Sequence, residues 1–127
     1  MESEFSEVLI VDDDDEILRI LTSTLQKLGY KPFTAIDGVE ALELFHEHKF
    51  RLVISDLSMP NLNGVALLSE IKKIDPSVFV AIMTGYIEDS EEWHSSQYKP
   101  DALLLKPFRI QALKEVIEKY KNSSSQI

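Results

Sequence analysis

Three short runs of branched, apolar residues each end on a charged side chain, and no other feature limits the fold as tightly. Val8-Leu9-Ile10-Val11 leads into Asp12-Asp13, Leu52-Val53-Ile54-Ser55 into Asp56, and Ala102-Leu103-Leu104-Leu105 into Lys106-Pro107. Runs of this length and composition read as strands buried on both faces, the setting of parallel strands. Ligands of an open parallel sheet bind beyond the carboxyl ends of its strands. Carboxylates gathered there around one ammonium call for a further ligand, and a divalent cation with a phosphoryl group would balance them.

Between these runs, helical and strand signals alternate. Ile17, Leu21, Leu25 and Leu28 repeat at helical spacing and Gly29 supplies a stop. Lys31 to Ile36 reads as a second strand, with Pro32 suited to an edge position. Asp37-Gly38 is a turn, and Ala41, Leu42 and Phe45 line the next helix. Met59-Pro60-Asn61-Leu62-Asn63-Gly64 breaks the chain before Val65, Leu68 and Ile71 begin a third helix, which Asp75-Pro76 ends. Val78 to Met83 is the fourth strand and Ala102 to Leu105 the fifth. Ile110, Leu113, Val116, Ile117 and Tyr120 mark a closing amphipathic helix. A short fourth helix is expected within Tyr86 to Pro100, although Ile87, Trp93 and Tyr98 share no single face. Five such units, joined by right-handed crossovers, give a three-layer α/β/α domain.

Length and composition agree. A chain of 127 residues with 44% hydrophobic content buries roughly two-thirds of its unfolded surface and folds without disulfides or a structural metal. There is no cysteine, which excludes thiolate metal sites. The expected organisation is an acidic, disordered leader over 1–6, one domain over 7–121, and a polar tail or linker start over 122–127. The leader carries no basic start or apolar core of a signal peptide. No apolar run reaches the length of a membrane span, so a cytoplasmic location is expected and no membrane partner. A net charge of −9 repels phosphate backbones, and direct nucleic-acid binding is not expected.

The separated motifs agree in type and order with one family. Asp12-Asp13 after the first strand, Asp56-x-x-Met59-Pro60 with Gly64, Thr84-Gly85 after the fourth strand and Lys106-Pro107 after the fifth together resemble the receiver domain of two-component response regulators, from about Val8 to Tyr120. The resemblance implies a flavodoxin-like (βα)5 fold with a five-stranded parallel sheet of order 2-1-3-4-5. It implies a phosphorylation-controlled switch rather than an enzyme turning over an external substrate.

On this resemblance Asp56 receives the phosphoryl group from a sensor histidine kinase or phosphotransfer protein. A cation bridging the carboxylate and the donor phosphate offsets the repulsion between anions. Mg2+ is the implied ion, with Asp12, Asp13, Asp56 and the backbone carbonyl of Ser58 as its metal-binding set; hard oxygen donors of this kind suit it. Lys106 would pair with Asp56 at rest and with a phosphoryl oxygen afterwards, and Thr84 would offer its hydroxyl to another. The family's Lys106–Pro107 bond is cis. Gly85 leaves room where a larger side chain would obstruct the phosphate. Ser58 and Tyr86 would tune hydrolysis at the mouth of the site. The output surface implied is the fourth helix, fifth strand and last helix, toward a downstream output domain or protein, and the resemblance admits a homodimer. Leu103 departs from the family, whose members mostly carry Tyr or Phe there; transmission is therefore expected to rest on backbone movement near Thr84 and Tyr86.

Asp14 and Asp15 read more simply as a helix cap and complements to the helix dipole. His46 and His48 point in different directions on a helix and are expected to be solvated, not metal ligands; Trp93 is expected to fold under its own helix, beside His94. Three rivals are carried: an interaction module of this fold that is never phosphorylated, a Mg2+-dependent phosphatase with Asp56 as covalent nucleophile, and a flavin protein. The phosphatase would place an acidic residue where Ser58 stands. The chain is expected to be a stand-alone receiver or one cut from a larger regulator or hybrid kinase.

Overall fold

The computed structural model describes residues 7–59, 61–85 and 97–124. Five parallel strands form one sheet in the order β2-β1-β3-β4-β5: β1 (Glu7–Val11), β2 (Lys31–Ala35), β3 (Leu52–Asp56), β4 (Phe79–Thr84) and β5 (Ala102–Leu105). The helices described are α1 (Asp15–Lys27), α2 (Gly38–Glu47), α3 (Gly64–Ile74) and α4 (Ile110–Ser124). The helix expected within Tyr86 to Pro100 falls largely on residues 86–96, outside the described residues, as do Tyr86, Ile87, Trp93 and His94.

Alternation along the strands divides the core in two. Val8, Ile10, Leu52, Ile54, Ala81 and Met83 point to one face, where they meet Leu18, Leu21 and Leu25 of α1 and Leu113, Val116 and Ile117 of α4. Leu9, Val11, Val53, Val80 and Ile82 point to the other and meet Ala41 and Phe45 of α2 and Leu67, Leu68 and Ile71 of α3. β1, β3 and β4 are thus buried on both sides, as their unbroken apolar runs require. The result is the expected α/β/α sandwich.

β5 departs from the expected burial on both faces. Ala102 and Leu104 are buried, whereas Leu103 and Leu105 are about half exposed (47% and 48%). β5 is the sheet's outer strand and pairs only with β4. Ala102 and Leu104 join the core cluster that α4 covers, whereas Leu103 and Leu105 alternate to the opposite face. β2, the other edge, is also partly exposed and carries Pro32. The last helix continues to Ser124, into the stretch expected as a polar tail, and the Ser123 hydroxyl donates to the Tyr120 carbonyl.

Helix ends follow their chemistry. Asp14 caps α1 by accepting from the Glu16 amide, Asp37 caps α2 from the Glu40 amide, and Asn63 caps α3 from the Ala66 amide. After α1 the chain turns through Gly29 at φ +96°, a conformation that glycine adopts without cost from a Cβ. His48 is only partly solvated. Its ring packs against Phe33 at 4.4 Å and its Nδ1 stands 3.6 Å from a Glu7 carboxylate oxygen, because α2 ends over the aromatic side chains of β2 and Phe50.

Candidate functional site

Parallel register brings the charged strand ends to one rim. Val11 lies opposite Ser55, Asp56 opposite Met83, and Thr84 opposite Leu105. Asp12, Asp56, Thr84 and Lys106 therefore stand within about one residue of a common line across four strands. The loops that leave this rim are tied to their neighbours. The Asp12 amide donates to the Ala35 carbonyl at 3.0 Å, the Leu57 amide to Met83 at 2.9 Å, and the Lys106 amide to Thr84 at 2.8 Å.

Close approach fixes the loop after β3. The Gly64 amide donates to the Leu57 carbonyl at 2.8 Å, and a Cβ on Gly64 would lie 2.5 Å from the Asp56 carbonyl oxygen. Only a residue without a side chain closes the loop this tightly behind Asp56. Gly85 is different. Among the described residues, a Cβ there would meet nothing within 4 Å, so packing against them does not explain it.

The site is strongly acidic. One carboxylate oxygen from each of Asp12, Asp13 and Asp56 lies within 4.8 Å of the others; Asp12 and Asp56 are buried and Asp13 exposed. Lys106 Nζ reaches Asp12 Oδ2 at 2.9 Å and Asp56 Oδ1 at 3.1 Å. The pairing with Asp56 matches the expectation; the shorter one, with Asp12, could not be read from the sequence. Asp12 uses its other oxygen to accept the Asp14 amide at 3.0 Å. Burial, and then the neighbouring charge of Asp12, push the Asp56 carboxyl above its usual range, with Lys106 opposing them. Burial would lower the Lys106 ammonium, but its bond to Asp12 and the charge of Asp56 outweigh that and raise it.

One ammonium does not balance three carboxylates packed this closely, and burying the excess charge is costly. The donors are all hard oxygens in a compact group, which fits a small divalent cation such as Mg2+. Ser58, exposed on the loop just beyond Leu57, lies next along the chain from this group. Thr84 is buried at the end of β4. The Lys106–Pro107 bond is cis.

Residues 8–118 match the family model of the response regulator receiver domain. The chain belongs to that family. Among curated relatives, it is 33% identical to sporulation initiation phosphotransferase F of Bacillus subtilis, over 89% of this receiver and 91% of that protein. It is 38% identical to the transcriptional regulatory protein ZraR of Escherichia coli, where the match covers 89% of this receiver but only 26% of the relative. Solved structures agree. A response regulator receiver domain from Clostridium thermocellum superposes with a TM-score of 0.86 at 31% identity, covering 96% of this receiver and 98% of that chain. The response regulator TrrA of Thermotoga maritima, solved in complex with Mg2+-BeF, superposes with a TM-score of 0.80 at 31% identity, covering 91% and 99%. The expected flavodoxin-like architecture is that of these receivers. Among the described residues no helix is long and apolar enough to cross a membrane.

Proposed function

We propose that this receiver domain accepts a phosphoryl group on Asp56 from the phosphohistidine of a sensor kinase or phosphotransfer protein, and that the modification switches its affinity for an output partner. The observation that carries this reading is the packing of three carboxylates within 4.8 Å of one another around a single ammonium. In the transfer, an Asp56 carboxylate oxygen forms a bond to phosphorus while the phosphorus–nitrogen bond to the donor histidine breaks. The imidazole leaves with the electron pair.

Asp12, Asp13, Asp56 and the Ser58 backbone carbonyl would hold Mg2+. When bound, the ion neutralises the negative charge that two anions bring together and orients the phosphoryl group. Lys106, in contact with both Asp12 and Asp56, would follow the charge onto a phosphoryl oxygen. Thr84 would supply a hydroxyl to another. The resident ionic contacts of Lys106 then change partners, and that exchange biases the domain between two states. The half-exposed Leu103 and Leu105 belong to the face through which an output domain or protein would read the change.

Incubation of the whole chain with acetyl phosphate and Mg2+ tests this reading. The expected result is a mass increase of one phosphoryl group, absent when the metal is chelated beforehand and absent from Asp56→Asn. A wild-type chain that gains no mass under these conditions overturns it and leaves the non-phosphorylated interaction module.

A further inference from the structure

The loop after the phosphoacceptor strand is held at two places, and the second has no part in the site as described so far. Its base is closed by the Gly64 amide on the Leu57 carbonyl. Its far side rests on the start of α2. Asn61 Nδ2 donates to Asp37 Oδ2 at 2.8 Å, across 24 residues of sequence. The other Asp37 oxygen caps α2 through the Glu40 amide at 2.8 Å, and Glu40 in turn accepts the Ile36 amide at 2.7 Å. The Asp37 carboxylate therefore fastens the loop to a helix end that is itself fixed.

Two further features show that this docking is built into the backbone. Asn61 sits at φ +72°, in the left-handed region that asparagine tolerates better than most residues. A Cβ on Gly38 would lie 2.5 Å from the Leu62 carbonyl oxygen and 2.6 Å from Leu62 Cβ, so the loop lies directly on the first residue of α2. Leu62, partly buried, packs against the core cluster that holds the buried residues of α2 and α3. Asp37 is held below the usual carboxylate range by the Glu40 amide and by Asn61, which keeps it ionised as an acceptor. Ser58 lies between the two fastenings, one residue past Leu57 and three before Asn61.

We propose that Asp37 and Asn61 are positioning residues for the metal site: their bond fixes the loop that presents the Ser58 carbonyl beside Asp13 and Asp56. This inference rests on the reading of Ser58 as part of the Mg2+ set. Groups that orient metal ligands without touching the metal change affinity by about tenfold or more when removed. Neither residue is expected to touch the ion or the phosphoryl group.

Mg2+ affinity of the whole chain, measured by calorimetry without a phosphodonor, tests this directly. Asn61→Gly keeps the left-handed backbone and removes only the side-chain bond. The expected result is an affinity lower by about tenfold, with a melting temperature close to that of the wild type. The exchanged pair Asp37→Asn with Asn61→Asp keeps the net charge, the helix cap and a hydrogen bond of reversed polarity. It should bind Mg2+ within about threefold of the wild type, closer than the loss expected when the Asp37–Asn61 bond is broken. An Asn61→Gly chain with wild-type affinity overturns the proposal, and so does an exchanged pair no better than Asn61→Gly. A wild-type chain that binds no Mg2+ overturns the metal reading itself, and the positioning role with it.

Discussion

Two lysines at opposite rims of the same sheet show how one kind of contact serves two ends. Lys72, at the rim where β4 and β5 begin, donates to Asp101 Oδ2 at 2.7 Å, to the Val78 carbonyl at 2.6 Å and to the Pro76 carbonyl at 3.3 Å. Asp101 also accepts the Val80 amide at 2.8 Å. One positive charge meets one negative charge, and the ammonium's three donors each have an acceptor. Lys106, at the rim where the strands end, faces two buried carboxylates with a third close by. The first cluster is complete and ties α3 to β4 and to the entry of β5. The second is left with excess negative charge, which a bound cation or a proton on Asp56 would relieve. Charge balance, more than burial, separates structure from chemistry here: the Lys72 side chain is the more buried of the two, at 10% exposed against 23%.

Substitutions at the two rims should therefore have opposite signatures. The largest effect expected is at Asp56. Asp56→Asn removes phosphoryl uptake from acetyl phosphate altogether, read by intact mass, whereas Lys72→Ala leaves uptake within about twofold of the wild type, as a site untouched by the change requires. Uptake lost in Lys72→Ala would erase the contrast.

Stability should run the other way. Lys72→Ala strips a charged donor from Asp101 and two carbonyls and is expected to cost about 2 kcal/mol in urea unfolding. Asp56→Asn is expected to raise the urea midpoint in metal-free buffer at neutral pH. The sign follows from the raised Asp56 carboxyl. A folded carboxyl above its unfolded value binds more protons than the unfolded chain, so stability falls as pH rises between the two values. The neutral amide escapes that loss. Added Mg2+ should narrow or reverse the difference, because it stabilises only the chain that binds it. A lower midpoint for Asp56→Asn without metal would mean that the Lys106 contact outweighs the excess charge.

The smallest effect expected is at Asp37. Its carboxyl should titrate below the usual range in a 13C NMR pH series, and Asn61→Gly should bring it part of the way back. Its low value leaves it ionised through neutral pH, and the stability it contributes is lost only as pH falls through the folded value. An unchanged titration in Asn61→Gly would assign the shift to the backbone amides at the start of α2, chiefly that of Glu40.

The strands and their charged ends were legible in the sequence because burial on both faces leaves an unbroken apolar run, and the residue after it marks the rim. β1, β3 and β4 fall within one residue of where those runs place them. β5 was misjudged in burial because Ala-Leu-Leu-Leu is as apolar as an interior strand, although the expected sheet order already put it at an edge. The polar partners of Asp12, Lys72 and Asp37 were out of reach for a different reason. Lys106, Asp101 and Asn61 lie 94, 29 and 24 residues away, and neither periodicity nor cap propensity records a pairing over such distances. Asp37 was legible as a turn; its second oxygen was not.

The bond between Asp12 and Lys106 joins the end of the first strand to the residue after the last. A molecule with β5 undocked has no ammonium at that rim, and one with β1 undocked lacks two of its three carboxylates. On the proposed function, only a molecule with both strands docked would carry the full set of charges that phosphoryl uptake needs.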